Sequence, residues 1–123
     1  MILVDTNIII DFWNTPSDDA RKIFLNEVLA TCGVIKTELL RGSNSEREFQ
    51  QIQNALNAFF YLNFYENDWV MLSNELIALK HKGISVPFQD AIIAHLAIKY
   101  NCKLWTNDKH FSLISTVLPL QLM

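Results

Sequence analysis

Apolar and polar residues follow one another along this chain in two different rhythms. Short apolar runs predict buried strands, and longer segments with an apolar residue at every third or fourth position predict amphipathic helices. The predicted strands cover residues 1–4, 29–32, 61–65, 103–106 and 119–122. The predicted helices cover residues 8–13, 17–28, 34–41, 45–60, 68–81, 89–100 and, as one short turn, 110–115. Strands that alternate with helices favour a parallel sheet covered on both faces.

The residues between these elements are typical of helix ends and turns. Ser17 is a good N-cap for the helix that follows it, and Gly42 and Gly83 are suitable C-terminal stops. Residues 5–7 are expected to form the turn after the first strand. We therefore predict an α/β fold with three layers, α/β/α, around a central, mainly parallel twisted sheet, formed by residues 1–123 as a single domain.

The composition agrees with this fold and narrows the setting in which the chain works. Hydrophobic residues make up 50% of the 123 residues, enough for a core without disulfides. Cys32 and Cys102 match neither a disulfide framework nor a metal-binding knuckle, so we expect two buried thiols in a reducing compartment. No segment reaches the roughly 18 apolar residues of a membrane span, and the N-terminus lacks a signal-peptide pattern. We expect a soluble, cytoplasmic protein.

Four carboxylates lie at positions where a metal-dependent nuclease would need them. Asp5 and Asp108 follow predicted strands, and Glu38 and Asp90 lie in predicted helices. Strand ends and helix starts are where an open α/β sheet gathers its ligands. Clustered carboxylates ionise reluctantly unless a cation neutralises them, and oxygen ligands suit Mg²⁺ or Mn²⁺. The pattern predicts a site at which a bound ion activates water against a phosphodiester.

The net charge of −3 does not by itself indicate a nucleic-acid partner, but it does not exclude one. The four carboxylates account for four negative charges, so the other residues together carry +1. A divalent ion at the carboxylates would further reduce their repulsion of phosphate. Lys36, Arg41 and Lys109 flank the acids in sequence and are candidate RNA contacts. Ordinary surface charge is the alternative interpretation of these three residues.

Four segments of the chain also carry a family resemblance. They are VDTNIIIDF (4–12), IKTELLRGS (35–43), PFQDAIIAHLA (87–97) and LWTNDKHF (104–111). In order and approximate spacing they resemble the four motifs of the PIN domain, the PilT N-terminus nuclease fold. Any one of them alone is a weak signal, but together they cover nearly the whole chain. A compact chain without an accessory domain is most similar to the VapC-type toxins of bacterial toxin–antitoxin pairs.

The resemblance implies a Mg²⁺- or Mn²⁺-dependent endoribonuclease that forms a homodimer and is inhibited by a cognate antitoxin, whose C-terminal tail covers the active site. Carried over by motif, the four carboxylates would be the catalytic metal ligands. Thr6, Asn7 and Thr106 would be supporting residues. The chain departs from some relatives at His110, where they carry a further acid. Of one or two ions per site, we therefore expect one to bind tightly and the second subsite to be weaker or empty.

Three other functions stay open at this point. In a phosphatase of the haloacid-dehalogenase type Asp5 would attack phosphorus, but the second Asp that this chemistry needs two positions later is Asn7. A binding scaffold could keep the same fold without catalysis. An RNA-processing or DNA-directed nuclease could have the same site and no antitoxin. No residue names the RNA that is cleaved.

The three histidines are expected to have peripheral roles. His81 lies between two lysines and is predicted to end a solvated helix. His95 follows Asp90 by five residues, which places it off the Asp90 face, and we predict a surface or interface position. His110 is predicted to be mainly a turn residue, with contact to substrate phosphate as the alternative.

Overall fold

The computed structural model describes residues 1–123 and contains one five-stranded sheet. The strands are β1 (Ile2–Val4), β2 (Leu29–Cys32), β3 (Phe60–Leu62), β4 (Lys103–Trp105) and β5 (Gln121–Leu122). Their order is β3-β2-β1-β4-β5, and every neighbouring pair is parallel. The predicted parallel sheet is confirmed. Because all strands run the same way, their carboxyl ends share one edge, with β1 at its centre.

Seven helices connect the strands, and their bounds lie within two residues of the predicted ones, except that the fourth ends four residues early, at Leu56. They are α1 (Thr6–Asn14), α2 (Asp18–Asn26), α3 (Gly33–Arg41), α4 (Glu46–Leu56), α5 (Asp68–His81), α6 (Phe88–Lys99) and α7 (His110–Ser115). The predicted N-cap is confirmed, since Ser17 Oγ accepts a hydrogen bond from the N–H of Ala20. Gly83, with φ of +72°, follows α5 as predicted. None of these helices is long and apolar enough to cross a membrane.

The first helix begins earlier than the sequence pattern predicted. Thr6 and Asn7, expected in a turn, are its first residues, and Asp5 is the N-cap. The Asp5 carboxylate accepts a hydrogen bond from the N–H of Thr6 at 2.8 Å, which satisfies one of the free donors of the first turn. The turn prediction was wrong because one capping residue is enough to pass from β1 directly into α1.

Two of the strands lie entirely within the core. β1 and β2 are buried along their whole length, as expected for inner strands of a parallel sheet with both faces covered. Ile9, Ile35 and Phe111 have no exposed surface and pack in the same cluster. Both cysteines are buried and free, as predicted.

His95 is not a surface residue, so that prediction was wrong. Only 1% of it is exposed. Its Nε2 lies 2.8 Å from Asp68 Oδ1, and its Nδ1 lies 2.9 Å from Glu75 Oε1. Helical spacing correctly predicted that His95 lies off the Asp90 face of α6. It could not show that α5 covers the opposite face of α6. His81 is exposed at the end of α5, as predicted.

Candidate metal centre

Asp5 lies at the carboxyl end of the central strand, where the supporting residues named from the sequence contact it. Only 6% of Asp5 is exposed. Its Oδ1 accepts the N–H of Thr6, and its Oδ2 accepts the hydroxyl of Thr106 at 2.6 Å and the side-chain amide of Asn7 at 3.2 Å. Thr106 directly follows β4, the neighbour of β1. The sheet order therefore joins residues that are 101 positions apart in sequence.

A second set of hydrogen bonds extends along the same edge through Asp11 and Asn107, two residues that the sequence pattern did not single out. Asn7 Oδ1 accepts the N–H of Asn107 at 3.1 Å, and the side-chain amide of Asn107 donates to Asp11 Oδ2 at 3.1 Å. Asn7 and Asp11 are four residues apart on α1, a spacing that places them on one face and could have drawn attention to Asp11. The role of Asn107 depends on the order of the strands, which the sequence did not reveal.

Asp90, Asp108 and His110 form a compact group beside Asp5. The Thr106 hydroxyl oxygen accepts the N–H of Asp108 at 3.0 Å, and Asp108 Oδ1 accepts the N–H of His110 at 2.9 Å. His110 Nδ1 lies 3.2 Å from Asp108 Oδ1 and 3.5 Å from Asp90 Oδ2. One ligand atom from each of the three lies within 4.8 Å of the others. His110 thus contacts two of the predicted metal ligands, beyond the turn role expected for it.

The charges of the predicted ligands affect one another's pKa values. Burial raises the pKa of Glu38, and the charges of Asp5 and Asp90 raise it further. Burial and the charge of Asp108 likewise raise the pKa of Asp90, and His110 lowers it without cancelling the rise. Both shifts mean that burial and the neighbouring negative charges outweigh the positive charge nearby. The structure therefore brings the four acids of the four motifs to one edge of the sheet.

The donor set fits a hard divalent cation. No lysine or arginine forms a salt bridge with any of the four carboxylates, and neither Lys36 nor Lys109 forms a salt bridge at all. The buried hydroxyl of Thr6 lies beside Glu38, where it acts to lower the Glu38 pKa. Carboxylate oxygens and hydroxyls are groups that Mg²⁺ and similar ions, with their bound waters, can satisfy.

Glu38 lies between two shallow grooves of different character. The first, of about 350 Å³, is also lined by Thr37, Arg41 and Gln89. The second, of about 230 Å³, contains the apolar side chains of Ile10, Trp13, Leu39 and Ile52. Of the three candidate RNA contacts, Arg41 lines a groove together with a predicted metal ligand. Lys36 is half-buried and Lys109 is exposed, and neither lines these grooves.

Residues 2–116 match the sequence model of the PIN domain. The chain belongs to the PIN-domain family. It is 31% identical over 114 residues to Ribonuclease VapC1 of Methanocaldococcus jannaschii, a match that covers 89% of this chain and 78% of that protein.

Solved structures of other proteins have the same fold. VapBC-1 from nontypeable Haemophilus influenzae superposes with a TM-score of 0.82 at 26% identity, over 100% of this chain and 97% of that one. VapBC2 from Rickettsia felis, bound to a DNA fragment from its promoter, gives a TM-score of 0.81 at 23% identity, over 100% and 98% of the two chains.

These comparisons confirm the three-layer α/β/α fold and the resemblance to VapC-type PIN domains. PIN-domain nucleases use divalent metal ions, and the acidic cluster of this PIN domain offers the ligands for such an ion. The roles of the individual site residues stay predictions.

Proposed function

We propose that this PIN domain is the endoribonuclease toxin of a toxin–antitoxin pair and that it hydrolyses RNA phosphodiesters with Mg²⁺ or Mn²⁺. One observation carries the proposal: the carboxylates of all four motifs meet at the carboxyl edge of the sheet and lack a paired lysine or arginine. Membership of the PIN-domain family and the similarity to Ribonuclease VapC1 support it.

We assign the four carboxylates as metal ligands and Thr6, Asn7 and Thr106 as the residues that orient them. Both oxygens of Asp5 are held by hydrogen bonds, so its remaining lone pairs point in fixed directions. Glu38 and Asp90 have raised pKa values, so a cation that binds there relieves a repulsion already present in the fold. Ligands of this kind bind an ion without a large rearrangement.

The chain itself positions the substrate and supplies no nucleophile. Cys32, the thiol nearest in sequence to Glu38, is buried, and burial raises its pKa to about 11, so it stays protonated. A divalent ion, when bound, lowers the pKa of water and neutralises charge on the phosphodiester. Arg41 lines the groove beside Glu38, where its guanidinium can hold a backbone phosphate.

The apolar groove beside Glu38 supports an antitoxin as the partner. Ile10 and Trp13 are about 40% exposed there, and Ile52 forms the floor. An apolar peptide segment in this groove would cover Glu38 and block RNA. Two of the similar structures, from Haemophilus influenzae and Rickettsia felis, are VapBC complexes, which agrees with this arrangement. We also expect a homodimer, since α5 exposes the apolar side chains Val70 and Ile77.

The decisive experiment compares the purified protein with its Asp5→Asn variant on total RNA, with Mg²⁺, Mn²⁺ or excess chelator. Removing one ligand charge should slow cleavage at least about a hundredfold, since a bound ion contributes several kcal/mol to the transition state. Expression of the unmutated protein should arrest growth, and expression of Asp5→Asn should not. Asp18→Asn, an exposed acid on α2, is the matched control and should cleave normally.

Three outcomes would overturn the proposal. Equal cleavage by the protein and its Asp5→Asn variant, or undiminished cleavage in chelator, would exclude a metal nuclease at this site. Tight RNA binding without cleavage in either metal would instead indicate the binding scaffold.

A further inference from the structure

His110 contributes the one nitrogen donor to a cluster otherwise made of carboxylates. Its Nδ1, rather than its backbone alone, faces the site, at 3.2 Å from Asp108 Oδ1 and 3.5 Å from Asp90 Oδ2. Among all His, Cys, Asp and Glu side chains of the chain, this is the one group of three with ligand atoms within 4.8 Å of one another. The geometry therefore singles out Asp90, Asp108 and His110 within the wider site.

The spacing of these donor atoms matches that of neighbouring ligands on one ion. With bonds to nitrogen or oxygen of about 2.0–2.2 Å, adjacent ligands stand about 3.0 Å apart in octahedral and about 3.4 Å apart in tetrahedral geometry. The distances of 3.2 and 3.5 Å from the imidazole nitrogen to the two carboxylates fall in or next to this range. They are also at or beyond the long end of an ordinary N–H···O hydrogen bond.

The cluster is preorganised, and it is open to solvent. Thr106 fixes the N–H of Asp108, and Asp108 fixes the N–H of His110, so the backbone holds two of the three ligands in relation to each other. The third, Asp90, lies in the first turn of α6. The side chains of His110 and Asp108 are 54% and 34% exposed. An ion can therefore enter without any opening of the fold.

We propose that His110 is a metal ligand and that it makes this subsite prefer first-row transition ions, from Mn²⁺ to Zn²⁺, over Mg²⁺. Mg²⁺ is a hard ion that takes oxygen ligands, whereas imidazole nitrogen suits transition ions. An all-carboxylate cluster would discriminate less strongly between them. The inference rests on the proposed function only in that both place a divalent ion at these carboxylates.

The test is metal binding rather than cleavage. The purified protein is titrated with Mn²⁺ and with Mg²⁺ by calorimetry, and bound Mn²⁺ is examined by pulsed electron paramagnetic resonance for coupling to a histidine nitrogen. His110→Ala should weaken Mn²⁺ binding at least about tenfold and abolish the nitrogen coupling, while Mg²⁺ binding stays unchanged. His110→Asp should bind Mg²⁺ more tightly and lose most of the preference. His81→Ala, at the exposed end of α5, is the control and should retain both.

The outcomes separate this inference from the proposed function. Bound Mn²⁺ without nitrogen coupling, or equal Mn²⁺ affinity in His110→Ala, overturns the role of His110 and leaves the nuclease proposal standing if RNA is still cleaved. Nitrogen coupling together with uncleaved RNA supports the ligand role and overturns the nuclease instead.

Discussion

Asp68, which contacts α6, and Asp90, which lies in it, have pKa values that shift in opposite directions. Asp68 has no exposed surface, yet its pKa is lowered to about 2. Asp90 keeps 17% of its side chain exposed, yet its pKa is raised. Burial alone would raise both values. The difference must therefore come from the charges that surround each carboxylate.

Asp68 has its hydrogen-bond donors, one of them the charged Lys99, inside the chain. Burial raises its pKa, but this effect is outweighed by hydrogen bonds from Lys99 Nζ and His95 Nε2, both at 2.8 Å, and from the N–H of Tyr65 at 2.7 Å. Asp90 faces Asp108 and Asp5, and the half-exposed imidazole of His110 does not offset them. The first cluster is complete as folded. The second lacks sufficient positive charge of its own, which is the pattern expected of a site that binds a cation.

The largest predicted effect comes from breaking the complete cluster. Asp68→Asn should lower the free energy of unfolding by about 3–5 kcal/mol, because it removes the charge that pairs with Lys99 and that accepts a hydrogen bond from the buried His95. Urea unfolding followed by circular dichroism measures this loss. Glu66→Gln changes an exposed acid two residues away and should have an effect within about 0.5 kcal/mol.

The same variant tests whether the cluster has a role beyond stability. At temperatures where Asp68→Asn is folded, it should bind metal and cleave RNA as the unmutated protein does. A stable Asp68→Asn variant that has lost metal binding would show that the two clusters are coupled through α6, and the contrast drawn between them would be wrong.

How far the sequence could predict the molecule depends on whether the information is local. The bounds of β2 and α5 agree with the apolar pattern residue for residue. Residue type and position along the chain are enough to indicate the motif acids Asp5 and Asp90. These features depend on periodicity and on residue type within a short segment. His95 was misplaced because its partner Asp68 lies 27 positions away on another helix.

The hydrogen bonds of Asn107 were missed for the same physical reason. Its contacts with Asn7 and Asp11 exist only because β4 lies beside β1, and nothing in the apolar pattern fixes the strand order. The ligand position of His110 likewise depends on where α7 begins relative to α6. Short-range patterns gave the elements and the acids, and the tertiary arrangement supplied their partners.

A smaller effect of opposite sign is predicted for the incomplete cluster. Glu38→Gln should raise the free energy of unfolding of the metal-free protein by roughly 1 kcal/mol, because it removes one of the charges that repel one another. Thermal unfolding in chelator measures the gain. With Mg²⁺ or Mn²⁺ the order should reverse, since the unmutated protein gains more binding energy than the variant. Glu66→Gln again serves as the control, and a destabilised Glu38→Gln in chelator would contradict the repulsion.

The last prediction concerns the pH dependence of the metal-free protein, in which the two clusters act in opposite directions. Glu38 and Asp90 have folded-state pKa values above those of the unfolded chain, so the folded protein binds more protons at a pH between the two values. Lowering the pH from above the folded-state value to below the unfolded-state value therefore stabilises the protein. Asp68 has a folded-state pKa of about 2 against 3.8, so the stability it provides is present above the unfolded value and is lost as the pH falls from about 4 towards 2.

Urea unfolding in chelator, measured in steps from neutral to acidic pH, should therefore show stability that first rises slightly and then falls. Asp68→Asn should lose the fall that occurs near the lowest pH values, because it no longer has a carboxyl group to protonate there. Glu38→Gln should weaken the initial rise, and so should saturating Mg²⁺ or Mn²⁺, because the bound ion keeps the carboxylates ionised at lower pH. A profile that falls steadily from neutral pH in chelator, and is the same with and without metal, would show that the acids of the candidate site are not repelling one another.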